Sequence, residues 1–505
     1  LDQMAAYKLN KLHLHLADDE GWRLEIPWLP ELTDVGSKRC LDFSERTCLL
    51  PQLGAGVDTD SAVNGYYSVS DYQEILRAAS ARHIQVIPSL DMPGHSRSSV
   101  KAMTARYHKY MALGDETKAK QFLLYDLEDK TKYSSVQFYN DNTINVCMES
   151  SYAFINKVMD EVKAIHAQAD HPLTRYHIGA DETAGAWVDS PICNNFIANN
   201  NQGITKTTQL GAYFIERVAK ILSDKDIETA GWSDGLRHTR LENMPKLVQA
   251  NAWGNLFWGA HKENHQMINQ DWDVVFSSPE VLYFDFPYEA DPKEHGYYWA
   301  SRHTNTRKVF ELMPDNLPVH AEFWYDPMES PYEAIDDETS VIKAGKSLRG
   351  IQGQLWTEST RSASMAQYKI YPRLLALAER AWHQAEWAVP YQSQGATYNK
   401  QSVFFDQKHR QQRDRQWQLF ATAIAVKEMP KLELAGINYR VPTVGAKRID
   451  GKLHANVIFP PLQIQYSVND QAWLSYRGPV SVSGKVEVRA LAANGERKGR
   501  ILLVK

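Results

Sequence analysis

Short apolar strand signals alternate with helix-length amphipathic segments along most of this 505-residue chain. The strand signals lie at residues 11–17, 84–90, 176–180, 228–232, 247–253, 274–278 and 351–356, and the helix signals include 70–82, 152–168, 208–223 and 365–383. Such alternation favours a (β/α) barrel. An open doubly wound sheet is the alternative, but it should carry a Gly-rich phosphate-binding turn after an early strand, and the sequence shows none.

The predicted fold class is therefore α/β, a (β/α)8 TIM-type barrel followed by a small C-terminal β-sandwich. A barrel of this type has eight strands, so we expect its first strand to lie before Leu1, with upstream domains and an export signal. Strand-like alternation at residues 462–468 and 480–490, with a short turn at Asn469-Asp470, predicts the sandwich. The predicted domains are the barrel at 1–400, a helical linker at 401–435 and the sandwich at 436–505.

Composition removes several classes of function. Apolar residues make up 43% of the chain and charged residues 23%, which is normal for a soluble globular protein. The net charge of −5 gives no basic surface for nucleic acid. No apolar run reaches the length of a membrane span. We therefore expect neither a nucleic-acid partner nor a membrane span, and no cofactor.

Four cysteines are present, and the first two flank a polar stretch. We predict one disulfide between Cys40 and Cys48, closing that loop, and one between Cys147 and Cys193, bridging two loops. Both would fit an oxidising compartment, here a periplasmic or secreted location. Four free thiols in a cytosolic protein, or other pairings, are the alternatives.

Two adjacent acids, Asp181 and Glu182, follow the strand signal that ends at Gly179-Ala180. Acids crowded at a strand end lose hydration and repel each other, which raises at least one pKa toward neutrality, as a general acid needs. The alternative is that the pair caps the next helix. Adjacent side chains on an ideal strand point apart, so both can face one cleft only if the backbone turns at Gly179-Ala180.

Acids and tryptophans recur at nearly every predicted strand end. In α/β barrels the working residues lie at these carboxyl ends. Carboxylates accept hydrogen bonds from hydroxyls and indoles cover apolar faces, so this mouth suits a neutral polyhydroxylated ring. The strand-end segments are Asp18-Asp19-Glu20, Asp91-Met92-Pro93-Gly94-His95, Asp181-Glu182, Trp232-Ser233-Asp234, Trp253-Gly254, Tyr283-Phe284-Asp285 and Trp356-Thr357-Glu358.

A metal-dependent hydrolase is a rival interpretation. His13-x-His15 after a strand is similar to the first ligand pair of a barrel metallohydrolase, but such a site also needs His or Lys at later strand ends. Those ends offer Trp232, Trp253 and Trp356 instead. We therefore predict no metal, with His13 and His15 as hydrogen-bonded residues of the barrel core.

The motifs Asn10-Lys11-Leu12-His13-Leu14-His15-Leu16-Ala17-Asp18-Asp19, Asp91-Met92-Pro93-Gly94-His95 and His177-Ile178-Gly179-Ala180-Asp181-Glu182 resemble family-20 glycoside hydrolases, more narrowly bacterial chitobiases (β-N-acetylhexosaminidases). Tyr283-Phe284-Asp285 and Gln354-Leu355-Trp356-Thr357-Glu358 fit the same pattern. The tail from Gly436 resembles the Ig-like C-terminal domain of the chitobiases. The resemblance covers nearly the whole chain.

The resemblance implies an exo-acting retaining enzyme that releases N-acetylglucosamine from chitooligosaccharides, with the substrate's own 2-acetamido oxygen as nucleophile. It implies that Glu182 is the general acid and base, that Asp181 accepts the acetamido N–H, and that Tyr283 donates to the acetamido oxygen. Trp232, Trp253 and Trp356 would wall the pocket, and Asp285 and Glu358 would take the outer hydroxyls. His95, His177 and Asp18 would support the acid pair. Trp258 and Trp299 would form a second sugar platform or have an ordinary packing role.

The sequence departs from the family pattern at one point. The family places an arginine that clamps the sugar at the end of the first barrel strand, and this strand, which we expect before Leu1, is not in the sequence. A truncated chain or an inactive remnant would explain this, and we favour truncation. A catalytically idle carbohydrate-binding protein is the functional alternative. The sequence leaves open the preferred chain length, the gluco or galacto preference, the oligomeric state and the role of the sandwich.

Overall fold

The strands of the first part of the chain assemble into one mostly parallel sheet. The structure, a computed structural model, describes residues 1–52, 54–183, 185–332 and 336–505. The strands of this sheet are β1 (Lys11–Asp18), β2 (Gly21–Trp22), β3 (Gln85–Met92), β4 (Arg175–Gly179), β5 (Glu228–Trp232), β6 (Val248–Ala252), β7 (Asp273–Phe276) and β8 (Gly350–Ile351). Their order is β2-β1-β3-β4-β5-β6-β7-β8, with β2 antiparallel to β1 and parallel pairing from β1 to β7.

Helices follow the strands in the alternation that the sequence predicts, and the α/β-barrel class is confirmed. Each strand of β4 and β6 is buried along its whole length, as expected where helices cover a parallel sheet. The helices are α1 (Asp2–Ala6), α2 (Glu31–Asp34), α3 (Val69–Ser80), α4 (Arg97–Ala112), α5 (Glu116–Lys120), α6 (Glu149–Gln168), α7 (Pro191–Asn199), α8 (Leu210–Ser223), α9 (Ser233–Leu236), α10 (His261–Asn269), α11 (Pro279–Leu282), α12 (Thr306–Phe310), α13 (Leu317–Ala321), α14 (Ala363–Ile370), α15 (Arg373–Trp382), α16 (Gln407–Ala423) and α17 (Met429–Leu434).

A single guanidinium ties the amino-terminal ends of four strands together. Arg175 on β4 donates to Glu228 on β5 at 2.9 Å, to Gln249 on β6 at 2.7 Å and to Asp273 on β7 at 3.0 Å. Bidentate and charge-assisted hydrogen bonds of this kind fix geometry as well as adding energy. The network lies at the end of the strands opposite the predicted site.

The chain divides into two units. The first contains Leu1–Gly254, Ala260–Phe276 and Ile342–Gly350, and the second contains Asn255–Gly259, Ser277–Val341 and Ile351–Lys505. Both predicted disulfides form in the first unit, with Cα–Cα distances of 5.7 Å for Cys40–Cys48 and 5.2 Å for Cys147–Cys193. Among the described residues, no helix has the length and apolar character needed to cross a bilayer.

The C-terminal sandwich belongs to the second unit and has two antiparallel sheets, as predicted. One has the order β13-β10-β9 and the other β12-β11-β14-β15. Its strands are β9 (Gly445–Ile449), β10 (Lys452–Asn456), β11 (Ile464–Val468), β12 (Leu474–Ser475), β13 (Val480–Ser481), β14 (Val486–Ala490) and β15 (Leu502–Val504). Alternate residues of β14 are buried, which gives the sandwich its core.

Two predicted elements are divided in the structure. The single helix predicted at 365–383 is α14 and α15, because Pro372 has no N–H to continue the helix and clashes with the preceding turn. The strand predicted at 480–490 is β13 and β14, separated by a turn in which Gly484 has φ +83°. That left-handed conformation favours glycine.

Candidate active site

The acid pair lies on a sharp turn directly after β4. Gly179 has φ +74°, Ala180 φ +77° and Glu182 φ +47°, so the strand ends in an unusual series of left-handed residues. Such conformations are costly for residues other than glycine and concentrate at functional sites. The turn predicted at Gly179-Ala180 is therefore present, and it lets Asp181 and Glu182 face the same imidazole.

That imidazole is His95, which follows β3. Its Nε2 lies 3.1 Å from Glu182 Oε2 and 3.7 Å from Asp181 Oδ2, and its Nδ1 lies 3.1 Å from Asp18 Oδ1. Burial opposes a charge on His95, but Asp18 and Asp181 raise its pKa well above the usual range. As an imidazolium, His95 donates to Glu182 from one nitrogen and to Asp18 from the other.

The surroundings of Asp181 displace its pKa strongly. Burial raises the pKa of Asp181 well above its usual range, and the charges of Asp91, Asp234 and Glu182 add to this while His95 opposes it. Its Oδ1 is buried and has no hydrogen-bond partner among the described residues. A buried carboxylate oxygen without a donor is costly, and a donor on a bound molecule would satisfy it.

A second histidine extends the network beyond Asp18. His15 Nε2 lies 2.7 Å from Asp18 Oδ2, and His15 Nδ1 lies 3.7 Å from Asp91 Oδ1. Burial works against a charge on His15, but Asp91 and Asp18 raise its pKa to about 9. Burial likewise works against the charge on Asp18, yet His95 and His15 hold its pKa well below the usual range. The network is therefore charge-alternating.

Two sets of groups in this network have metal-ligand character, namely His15, Asp18 and Asp91, and Asp18, Asp19 and His95. The two carboxylate oxygens of Asp18 already pair with histidines, Oδ2 with His15 Nε2 at 2.7 Å and Oδ1 with His95 Nδ1 at 3.1 Å. Asp19 also accepts from the backbone N–H of Arg97 at 3.0 Å and from Asn142 at 3.0 Å. The internal pairing favours a hydrogen-bond relay over an ion site.

The tryptophans predicted on the first unit lie beside the acid pair's turn. Trp253 Nε1 donates to Asp234 Oδ1 at 2.8 Å, and Asp234 Oδ2 accepts from the backbone N–H of Glu182 at 3.4 Å. Trp232 is buried, and its ring contacts His177 with the centroids 4.8 Å apart. Asp234 thus links one aromatic wall to the turn that carries the acids.

His177 contacts the backbone of the turn that carries the acid pair. It is fully buried, and its Nδ1 accepts from the backbone N–H of Gly179 at 3.2 Å. Its ring contacts that of the half-buried His13, with the centroids 4.4 Å apart. His177 therefore reaches the acid pair through the backbone, and burial lowers its pKa well below the usual value.

The remaining predicted residues lie on the second unit. Tyr283, after β7, is buried in a cluster with Phe286 and Ala300, and Trp356 packs against this cluster. The Tyr283 ring lies 5.9 Å from that of Trp356 and 6.1 Å from that of Trp299, both edge-on. A parallel bridge between Tyr283 and Gln354 joins the segments that follow β7 and β8.

Asp285 and Glu358 are the two predicted acids on the second unit. Burial raises the pKa of Asp285 to about 7, and Glu358 adds to the rise. Asp285 Oδ1 accepts from the backbone N–H of Trp356 at 3.5 Å. Trp258 is 65% exposed and Trp299 47% exposed, so both have a face available to a ligand.

Sequence reasoning included Asp91 and Asp234 among the strand-end acids but did not select them as site residues. It also placed His15 in the core rather than in the relay. An acid at a strand end was the available signal for Asp234. The His13-x-His15 pattern marked His15 but did not predict its contacts with Asp18 and Asp91, because the contact with Asp91 depends on β1 and β3 lying side by side.

The strand ends of this α/β barrel thus carry two adjacent acids, Asp181 and Glu182, beside the indole rings of Trp232 and Trp253. The model of glycosyl hydrolase family 20, catalytic domain, matches residues 1–385, and that of the chitobiase/beta-hexosaminidase C-terminal domain matches residues 428–501. The chain belongs to glycosyl hydrolase family 20.

Relatives of known sequence and structure agree with this membership. Beta-hexosaminidase B of Pseudoalteromonas piscicida is 54% identical over 424 residues, covering 84% of this chain and 54% of that protein. N,N'-diacetylchitobiase of Vibrio harveyi is 42% identical over 540 residues, covering 100% of this chain and 60% of that protein. The crystal structure of the GH20 exo beta-N-acetylglucosaminidase from Vibrio harveyi in complex with N-acetylglucosamine matches with TM-score 0.60 and 27% identity, covering 87% of this chain and 55% of that one. The chain thus spans little more than half the length of these relatives.

Proposed function

We propose that this protein is an exo-acting retaining β-N-acetylhexosaminidase that releases terminal N-acetylglucosamine from chitobiose and chitooligosaccharides. The observation that carries the proposal is the acid pair: Asp181 and Glu182 are adjacent on one turn, and both lie within 3.7 Å of His95 Nε2. Two-carboxylate glycosidases instead place their acids on opposite sides of the scissile bond. Two acids that face one imidazole suit a reaction in which the substrate supplies its own nucleophile.

In this proposal Glu182 protonates the glycosidic oxygen and later deprotonates the water that opens the oxazolinium ion. His95 donates to Glu182 Oε2 and so stabilises the carboxylate that remains after the proton leaves. Asp18, whose pKa is held low, keeps His95 protonated. Glu182 therefore supplies the proton, and the positive charge of His95, which Asp18 maintains, stabilises the carboxylate that remains.

Asp181 accepts the acetamido N–H through its buried Oδ1, which has no partner among the described residues. This orients the acetamido oxygen for attack on the anomeric carbon and stabilises the positive charge that develops on the amide. Holding a neighbouring group in an attack geometry supplies a large share of the rate enhancement, so positioning is the main work.

The other predicted residues also have roles in the proposed binding of the sugar. Tyr283 donates its hydroxyl to the acetamido oxygen, and Trp232, Trp253 and Trp356 enclose the sugar. Asp285 and Glu358 accept the outer hydroxyls. Trp258 and Trp299 serve as a further sugar platform.

The proposal extends to organisation and location. The division into a barrel at 1–400, a helical linker at 401–435 and a sandwich at 436–505 remains a proposal. Two disulfides fit an oxidising compartment, so we propose that the protein works in the periplasm or outside the cell.

The experiment compares two chromogenic substrates, the p-nitrophenyl N-acetyl-β-D-glucosaminide and the corresponding plain β-D-glucoside. Turnover of the first alone, with the β-anomer of N-acetylglucosamine appearing first by NMR, supports participation of the acetamido group. Equal turnover of both substrates would contradict it. Binding of N-acetylglucosamine without any turnover would instead favour a catalytically idle carbohydrate-binding protein.

A further inference from the structure

A buried lysine on α14 contacts the loop directly after Glu358, one of the two acids proposed to bind the outer hydroxyls. Lys369 is 1% exposed, and its Nζ donates to Ser359 Oγ at 2.9 Å and to Thr360 Oγ1 at 3.0 Å. These two hydroxyls follow Glu358 directly in the chain. The ammonium therefore fixes the loop that carries Glu358.

Two neutral hydroxyls do not offset the cost of burying an ammonium ion. Burial lowers the pKa of Lys369 to about 8; Asp285 and Glu358 oppose this fall, while Arg373 and Arg361 add to it. Burial raises the pKa of Asp285 to about 7, and Lys369 opposes that rise. The charge partners of Lys369 are thus the same two carboxylates.

Arg373 holds the backbone at Lys369 in place through hydrogen bonds. Its Nε donates to the carbonyl of Lys369 at 2.8 Å, and its Nη1 donates to the carbonyls of Phe286 at 2.8 Å and Thr304 at 2.9 Å. Its Nη2 donates to the carbonyl of Phe284. One fully buried guanidinium therefore connects the backbone of Lys369 to the segment that carries Asp285.

We propose that Lys369 is a positioning residue that sets Asp285 and Glu358 in the geometry and charge needed to bind the outer hydroxyls of the terminal sugar. This inference rests on the proposed function. Ionised carboxylates accept hydrogen bonds about twice as strongly as neutral groups. Lys369 thus acts on binding through the two acids rather than by contact with the reacting atoms.

The test compares Lys369→Met, Lys369→Arg and the parent chain on the p-nitrophenyl N-acetylglucosaminide. Lys369→Met is expected to raise KM about tenfold or more while changing kcat by less than about threefold, because an interaction common to ground and transition states is weakened. Lys369→Arg keeps a cation and several donors and is expected to restore most of the affinity. The Met variant should also show a smaller difference in KM between the gluco and galacto substrates, which differ at an outer hydroxyl.

The pH profile of KM gives a readout that a merely structural role would not move. Lys369 lowers the pKa of Asp285, which also faces the charges of Glu358 and of the Arg373 guanidinium, and neither of these changes in the variant. Removing the ammonium therefore raises that pKa, so weak binding at low pH should extend to higher pH in Lys369→Met. Lys369→Arg should keep the profile of the parent.

Arg380→Met is the matched control, because Arg380 is a buried cation on α15 whose guanidinium packs over Phe310 and Trp387. It should lower thermal stability without the rise in KM. An unchanged KM in Lys369→Met, or an equal rise in Arg380→Met, would overturn the inference while leaving the proposed function standing. A parent chain that turns over none of these substrates would overturn both.

Discussion

Glu182 and Asp181 lie on the same turn and face His95, but the imidazole makes its hydrogen bond with Glu182. The contact to Glu182 is 3.1 Å, whereas the nearest Asp181 oxygen is 3.7 Å away. The other Asp181 oxygen is buried without a partner among the described residues. Neighbouring carboxylates in unlike surroundings take different roles in catalysis, one exchanging protons and the other accepting a donor.

Replacing Glu182 by Gln is expected to lower turnover of unactivated chitobiose by about 10²-fold or more, because the leaving sugar then departs without a proton. The loss should be smaller for a dinitrophenyl N-acetylglucosaminide, whose leaving group needs no protonation. Measuring kcat/KM on both substrates separates the two steps. Glu161→Gln on α6, a residue paired with Lys157, is the control. Ordinary activity of Glu182→Gln on chitobiose would refute the assignment.

Asp18→Asn should change the pH dependence of the reaction and not only its rate. Asp18 raises the pKa of His95, so removing the carboxylate lowers that pKa and His95 loses its proton at a lower pH. The alkaline limb of the kcat/KM profile should therefore move toward acid. A profile that keeps its shape while the rate falls uniformly would show that Asp18 only supports the local fold.

Much of the arrangement of these residues could be predicted from the sequence. The rest depends on contacts between residues that are far apart in the sequence. The two adjacent acids and the small residues before them indicated the turn. The contribution of His15 could not be predicted, because it depends on Asp91 from the neighbouring strand and on the positive charge that this neighbour stabilises. Local patterns contain no information on which charges become buried together.

At the scale of elements, the site is the place where the ends of β3 and β4 come close together. Gly94 follows β3, and a Cβ there would lie 2.6 Å from the carbonyl oxygen of Asp181 and 3.1 Å from that of Glu182. Both neighbours are backbone atoms, so neither can move aside without moving the acid pair. The glycine therefore permits the approach that brings His95 to Glu182.

Gly94→Ala is expected to lower kcat/KM on the order of 10²-fold, since a displacement near 1 Å at the acid pair is enough to disturb an attack geometry. The matched control is Gly350→Ala on β8, where an added Cβ meets open space among the described residues. That variant should keep the activity of the parent. Kinetics of both variants, with thermal midpoints to check folding, decide the matter, and full activity of Gly94→Ala would exclude the close approach.

The elements also show where periodicity alone is insufficient. Strand signals located β1 and β3 to β7 within a few residues, whereas the two-residue strand β2 (Gly21–Trp22) was not predicted. The strand predicted at 351–356 is reduced to β8 (Gly350–Ile351), with the segment after it joined to the chain beyond β7 by the Tyr283–Gln354 bridge.

For the whole molecule, ion pairs within the second unit join the C-terminal part of the chain to the segment that follows Tyr283. Arg440 pairs with Glu289 and Glu294 at 2.7 Å each, and Arg500 also pairs with Glu289. The side chain of Glu294 is nearly buried and also accepts from the Tyr368 hydroxyl at 3.0 Å. Within this unit the sandwich therefore anchors a loop a few residues beyond Asp285.

Stability of the whole molecule should fall on mild acidification, in part through His166 on α6. Its Nδ1 donates to the carbonyl of His171 and its Nε2 accepts from the Tyr72 hydroxyl, both at 2.9 Å, and burial lowers its pKa to about 4. The unfolded chain, with an ordinary histidine pKa near 6.5, binds the proton first, so a contribution of about 3 kcal/mol present above pH 6.5 is lost as the pH falls toward 4. His166→Gln keeps a donor and an acceptor but does not titrate. Thermal midpoints between pH 7 and pH 4.5 should therefore fall more steeply for the parent than for His166→Gln, and parallel curves would show that His166 is already protonated in the folded protein.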